Sequence, residues 1–511
     1  MKNWYRRAII YSLDVEAFKD SDGDGVGDFG GVRKSLSYLT SLGIDCVWLL
    51  PFFETPNRDN GYDVSNYFSV DSRLGNLGTF TEFMNIAQEH SVRVIMDLVV
   101  NHTSDQHPWF KEAVERPDSV YHDYYIWANE IPEDYEPKAI FGEQQSGNWE
   151  YIKKLDKYYY HTFYKFQPDL NLANPLVRDE IKRIMHFWLN VGVAGFRMDA
   201  VTHMIRKKHS SQHFDKSPHD ILREFRQFMD DFAPHSVLLA EADVNPEDYK
   251  HFFSGEAGMH MLFNFYGNNY LFYALATEKA EPLKKAFEKL PHTYGTEQLA
   301  NFIRNHEELD LERLSDDERQ HVFERFAPEE DMRIFGRGIR RRFASMVQDD
   351  RSMLELAYSL LLSLPGTPII RYGEEIGMGD DLRLPGREAV RTLMQWSDQK
   401  NGGFSTAPKD KLARPLITSG SNGYKEINVN KQIRDRESFL NWMVRAITAH
   451  RRCSDFGIGD YEFLDTGDEQ VLAHICRGEN TAAIAVHNLS RQSLTIILFI
   501  ENDLALCLID V

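Results

Sequence analysis

Short apolar runs rich in β-branched and aromatic residues recur along the chain, separated by stretches with helical spacing. They are AIIYSL (8–13), CVWLLPF (46–52), VRVIMDLVV (92–100), GFRMDAV (195–201), VLLAEA (237–242), MLFNF (261–265), ANFIRN (300–305) and TPIIRYG (367–373). Amphipathic helices lie between them, among them RDEIKRIMHFWLNVG (178–192) and HDILREFRQFMDDFA (219–233). Nearly continuous apolar strands alternating with helices belong in a parallel sheet covered on both faces. Eight such units closing on themselves predict an α/β chain folded as a (β/α)8 TIM barrel. An open doubly wound sheet is the rival, but no Gly-rich phosphate turn follows the first strand.

Two excursions interrupt this alternation. Some sixty polar and aromatic residues follow the third strand, a length that usually carries function or a small domain of its own. A second, Gly- and Pro-rich excursion covers about 376–434, before the helix ESFLNWMVRAITAHRR (437–452). The runs YEFLD, QVLAHICR, TAAIAVHNL and LTIILFI then change to period two, as an antiparallel β domain requires. The expected division is a barrel over 1–102 and 166–455, an inserted B domain over 103–165 and a C-terminal β domain over 456–511.

Composition narrows the function. The chain of 511 residues is 42% hydrophobic and 13% aromatic, which suits a large packed enzyme. Seventy-eight acidic against 58 basic residues give a formal charge of −20, so nucleic acid and anionic membrane are poor partners. The basic run RGIRRR follows an acidic stretch, Asp310 to Asp331, and reads as its ion-pairing partner. Cys46, Cys453, Cys476 and Cys507 show no metal-ligand spacing. No signal-peptide pattern opens the chain and no apolar run reaches membrane-spanning length, so the expected setting is cytoplasmic. Sequence leaves the oligomeric state open.

Asp97, Asp199, Glu241 and Glu307 all fall at the C-terminal end of a predicted strand, where a barrel gathers its reactive groups. Arg197 and Asp199 stand two apart and share one side of their strand; a guanidinium there favours the ionised carboxylate. Glu241, in the apolar context VLLAEA, is expected to be partly desolvated and to hold a proton near neutral pH. One ionised and one protonated carboxyl is what cleavage of a glycosidic bond with retention demands. A two-metal phosphatase would need histidines at ligand spacing, which are missing.

At this point the motifs resemble a family. DLVVNH (97–102), GFRMDAV, LLAEA (238–242) and RNHEE (304–308) look like the four signature regions of the α-amylase superfamily, glycoside hydrolase family thirteen. QPDLN (167–171), GYD (61–63) and GTPIIRYGEEIGMGDD (366–381) extend the match. Within the family the chain resembles the trehalose synthases, which interconvert maltose and trehalose. The resemblance implies Asp199 as nucleophile, Glu241 as general acid/base and Arg197 orienting the nucleophile. His102 and His306 would hydrogen-bond the sugar, with Tyr62 stacked beneath its ring. Asp97 would support this shell, while Asp63 and Arg391 would pair to close the pocket end. Glu307 stands where the family carries an aspartate that grips the sugar in the transition state, and it keeps the charge one methylene further out. DAVTHM, with Thr202 and His203, stands where DAVPYL is usual; Leu393 replaces a proline and Asp243 an asparagine.

The loop DSDGDGVGD offers Asp20, Asp22, Asp24, the carbonyl of Val26 and Asp28 at alternating positions. Hard oxygens so spaced suit a structural calcium, with magnesium the alternative, and no organic cofactor is expected. Three functional readings stand. They are maltose/trehalose interconversion, hydrolysis of short α-glucosides through the same residues, and a sugar-binding homologue impaired by Glu307.

Overall fold

The computed structural model describes residues 3–132, 135, 140, 147–253, 258–348, 350–453, 455–478 and 481–498. Eight parallel strands close into a barrel: β1 (Ile10–Leu13), β2 (Cys46–Leu49), β3 (Arg93–Leu98), β4 (Gly195–Met198), β5 (Val237–Ala240), β6 (Met261–Phe263), β7 (Gln298–Phe302) and β8 (Thr367–Arg371). Each pairs with its sequence neighbours, and β8 pairs with β1.

Strand alternation sorts the side chains into two cores. Ile10, Trp48, Ile95, Val237, Leu239, Met261, Phe263, Phe302 and Ile369 fill the barrel interior. Their neighbours Tyr11, Val47, Leu49, Met96, Leu98, Phe196, Met198, Leu238 and Ala240 pack against the surrounding helices. Because successive residues point to opposite faces, Asp97 continues the interior row of Ile95 and Glu241 that of Leu239. Asp97 pairs in register with Arg197 on the adjacent strand. The carboxylates thus meet at the C-terminal mouth through the pleat itself.

Local signals set the helices. Asn174 caps α1 (Pro175–Val191) by accepting from Leu176 N, proline occupies the first turn, and Gly192 ends it at φ 109°. Ser217 caps α2 (Pro218–Phe232) in the same way.

Between β3 and β4 the chain forms a short helix (Pro108–Glu115) and a three-stranded antiparallel sheet (Trp127–Ala128, Trp149–Ile152, Lys157–Tyr160). After α3 (Phe439–Arg452), a second three-stranded antiparallel sheet covers Asp460–Leu464, Val471–Arg477 and Ala482–Asn488. A fourth strand over LTIILFI does not form at 494–498, where Ile497 is 71% exposed and Leu494, Ile496 and Leu498 are half-buried. The last two residues of that run, and Cys507, lie outside the described residues. Of the basic run, Arg337 pairs with Asp310 at 2.7 Å as expected, whereas Arg342 is spent on the carbonyls of Tyr372 and Val390. No helix among the described residues is long and apolar enough to cross a membrane.

Candidate functional site

The strand ends open on a cavity of about 460 Å³ lined by Tyr62, His102, Arg197, Asp199, Glu241 and Glu307. Arg197 is its hub. One guanidinium nitrogen donates to Asp199 at 2.7 Å and to Asp97 at 3.1 Å; the other pairs with Glu241 at 2.9 Å. Burial pushes the Asp199 carboxyl well up, and the Arg197 charge pulls it back. Burial likewise raises Asp97 to about 6 against the pull of Arg197. Tyr62 OH and Trp48 Nε1 donate to Asp97 at 2.7 and 2.6 Å, so this buried carboxylate braces Arg197 from below.

The turn after β4 is strained. Ala200 adopts φ 49°, a left-handed conformation uncommon for a residue with a Cβ. Its N–H thereby reaches Glu241 Oε2 at 2.9 Å. The groups around Glu241 are not the ones its sequence neighbours suggest. Its side chain stays 23% exposed, and both oxygens accept, one from Arg197 and one from Ala200. Leu238, Ala240 and Ala242 face the helices instead of Glu241, because alternate strand residues diverge.

His306 Nε2 lies 2.6 Å from Tyr62 OH, and the two rings stack at 5.7 Å and 8°. Burial lowers His306 well below the usual histidine range. Burial alone would raise Glu307, but the charges of Arg387 and Arg391 overcome it and hold the carboxyl at about 2. Arg391 donates to Glu307 Oε1 at 2.9 Å, Arg387 grips Oε2, and His306 Nε2 stands 3.4 Å away.

The expected Asp63–Arg391 pair is not formed. Asp63 is fully buried and consumed by its own turn, accepting from Thr55 Oγ1 at 3.0 Å and from the N–H groups of Arg58 and Asp59. Arg391 goes to Glu307, to Glu388 and to the carbonyl of His306. Asp59 and Arg387, which sequence reasoning passed over, line the cavity 3.7 Å apart. Asp59 was readable as the other acid of RDNGYD; Arg387 sits in the Gly/Pro-rich excursion, where no periodicity marks it.

Thr202, His203 and Asp243, noted as unusual in sequence, also line the cavity, and Arg313 pairs with Asp243 at 2.7 Å. Burial and the charge of Glu307 lift Glu308 to about 7, and its Oε2 has no hydrogen-bond partner among the described residues.

In the acidic loop, Asp20, Asp22 and Asp28 bring carboxylate oxygens within 4.8 Å of one another. Asp24 is outside this group, and its carboxylate accepts from Val26 N at 2.8 Å. Burial, then the charges of Asp24, Asp28 and Asp20, raises Asp22, as expected where carboxylates crowd.

Residues 11–327 and 334–455 match the family described as Alpha amylase, catalytic domain. A trehalose synthase/amylase of Mycolicibacterium smegmatis is 37% identical over 502 residues, covering 96% of this chain and 84% of its own. A trehalose synthase of Pimelobacter sp. is 38% identical over 501 residues, covering 96% and 87%. A solved trehalulose synthase mutant, in complex with Tris, superposes at TM-score 0.76 with 25% identity, covering 95% of this chain and 91% of that one. The chain belongs to the α-amylase catalytic-domain family, glycoside hydrolase family thirteen.

Proposed function

We propose that the chain is a retaining α-glucosyl enzyme that interconverts maltose and trehalose. The observation that carries this is the single Arg197 guanidinium bridging Asp199 and Glu241. Retention needs carboxyls about 5–5.5 Å apart, and one shared guanidinium holds the two close enough for that arrangement. Asp199 attacks the anomeric carbon while Glu241 gives a proton to the departing glycosidic oxygen. The freed glucose stays in the cavity. Glu241 then takes the proton from its anomeric hydroxyl, whose oxygen displaces Asp199 and closes the trehalose bond. Tyr62 and His306 form a stacked floor for the sugar ring, His102 donates to it, and Asp59 with Arg387 closes the pocket end.

One observation favours a second reading, a sugar-binding homologue with weak catalysis: both Glu307 oxygens are already engaged by arginines. Chromatographic analysis of the products formed from maltose decides. Trehalose, lost in Asp199→Asn, supports the proposal. Glucose alone assigns a plain α-glucosidase, and neither sugar despite measurable maltose binding assigns the impaired homologue.

Asp20, Asp22 and Asp28 would hold a divalent cation, calcium by their hard oxygens. Their fit rests on the convergence of three carboxylates that otherwise repel. The ion would neutralise the loop and take no part in the chemistry. The division into a barrel (1–102, 166–455), an inserted domain and a C-terminal β domain from 456 belongs to the same proposal.

A further inference from the structure

Lys208 lies in the loop after β4 with a side chain only 1% exposed, and the mechanism above does not use it. Its Nζ stands 2.6 Å from Asp169 Oδ2 and donates to Asn101 Oδ1 at 2.8 Å. Asp169 is itself fully buried and holds Thr162 through N–H and hydroxyl donors at 2.8 and 2.5 Å. Its backbone also bridges to His102. The ammonium is therefore fixed in place rather than free to wander on its long stem.

An ammonium can only donate. Asn101 must then turn its carbonyl to Lys208 and its amide nitrogen to His102, whose Nδ1 is 3.2 Å away. That Nδ1 accepts, so a neutral ring carries its proton on Nε2, which stands 3.1 Å from the carbonyl of Tyr62. The ring is neutral at working pH, because burial lowers His102 to about 4. The opposite tautomer would set a lone pair against the Tyr62 carbonyl and offer no proton to a sugar oxygen.

We propose that Lys208 is a positioning residue: acting through Asn101, it fixes the His102 imidazole at the cavity wall as the Nε2-protonated tautomer. The kinetic consequence rests on the proposed function, whereas the tautomer does not. A purely structural Lys208–Asp169 ion pair would stabilise the loop and leave the ring proton where it is.

The full chain, labelled with 15N in its histidine rings, reports tautomers in long-range proton–nitrogen spectra, with His102 identified by its loss in His102→Asn. The wild type should show a single Nε2-protonated ring, and Lys208→Met should show a mixture or the opposite form. On maltose, Lys208→Met should lower kcat/KM by on the order of ten- to a hundredfold, as a displaced contact group does. In the His102→Asn background the further loss should be under about twofold, since the two residues act as one unit. An unchanged tautomer, or equal losses in both backgrounds, overturns the proposal. A wild type inert on maltose would sink the functional reading and leave the spectra to decide on Lys208. Should Lys208→Met fail to fold with Asp169 unpaired, Lys208→Met/Asp169→Asn removes both charges and is read by the same spectra.

Discussion

Glu307→Asp tests whether the longer acid helps or hinders the reaction. Shortening the side chain by one methylene withdraws the carboxylate by up to about 1.5 Å. Arg391, now 2.9 Å from Oε1, would fall out of hydrogen-bonding range, and the grip of Arg387 on Oε2 would loosen. Losing one charge-assisted contact costs about 1.5–3 kcal/mol at a buried site, and the 21% exposure of Glu307 puts the cost near the lower end. For a chain of this size that lowers Tm by only a few degrees. The carboxylate gains lone pairs for sugar hydroxyls that arginines now occupy. Since misplacement by about 1 Å can cost a hundredfold in rate, kcat on maltose should rise roughly tenfold or more. The assay is the initial rate of maltose loss with trehalose and glucose separated, beside a melting curve of the same preparation. A folded Glu307→Asp protein slower than the parent refutes the reasoning. The arginine-anchored glutamate would then be the working geometry and the substrate something other than maltose.

Two further outcomes follow from charge and burial. His102 and His474 are lowered to about 4, and His107, His260 and His487 to about 3, by burial first in every case. Between about pH 6.5 and those values the unfolded chain binds protons that the folded chain refuses. Stability is therefore fully present above about 6.5 and lost as pH falls through that window. Melting curves should steepen in their pH dependence below about 6.5, and His487→Gln should remove up to about 1.4 kcal/mol of slope per pH unit; an unchanged slope contradicts the burial argument. For the acidic loop, chelation should lower Tm by several degrees and calcium restore it, as linkage at saturating ion requires, and Asp22→Asn should blunt the response. A melt indifferent to chelator removes the cation from the proposal.

The barrel was legible because its signal is local and repeated. Eight apolar runs, spaced by helices, leave few ways to bury their faces, and the structure places a barrel strand in each of them. Asp97, Asp199 and Glu241 were legible for the same reason, since each terminates a strand and alternation fixes its side. Residues on loops obeyed no such rule. Asp63 and Asp59 stand four apart in one turn, and composition gives no reason to prefer either. The backbone decides: Asp63 is enclosed by the N–H groups of its own turn, while Asp59 reaches out to Gln167 at 2.8 Å and faces Arg387. The surroundings of Glu241 were harder to read. Adjacent residues in a strand point to opposite faces, so Ala240 and Ala242 beside it described the helix-facing side. What surrounds Glu241 comes from β4, through Arg197 and the strained N–H of Ala200. The same turn that holds Asp199 thus also binds Glu241, so a substitution relaxing Ala200 would disturb both carboxyls at once.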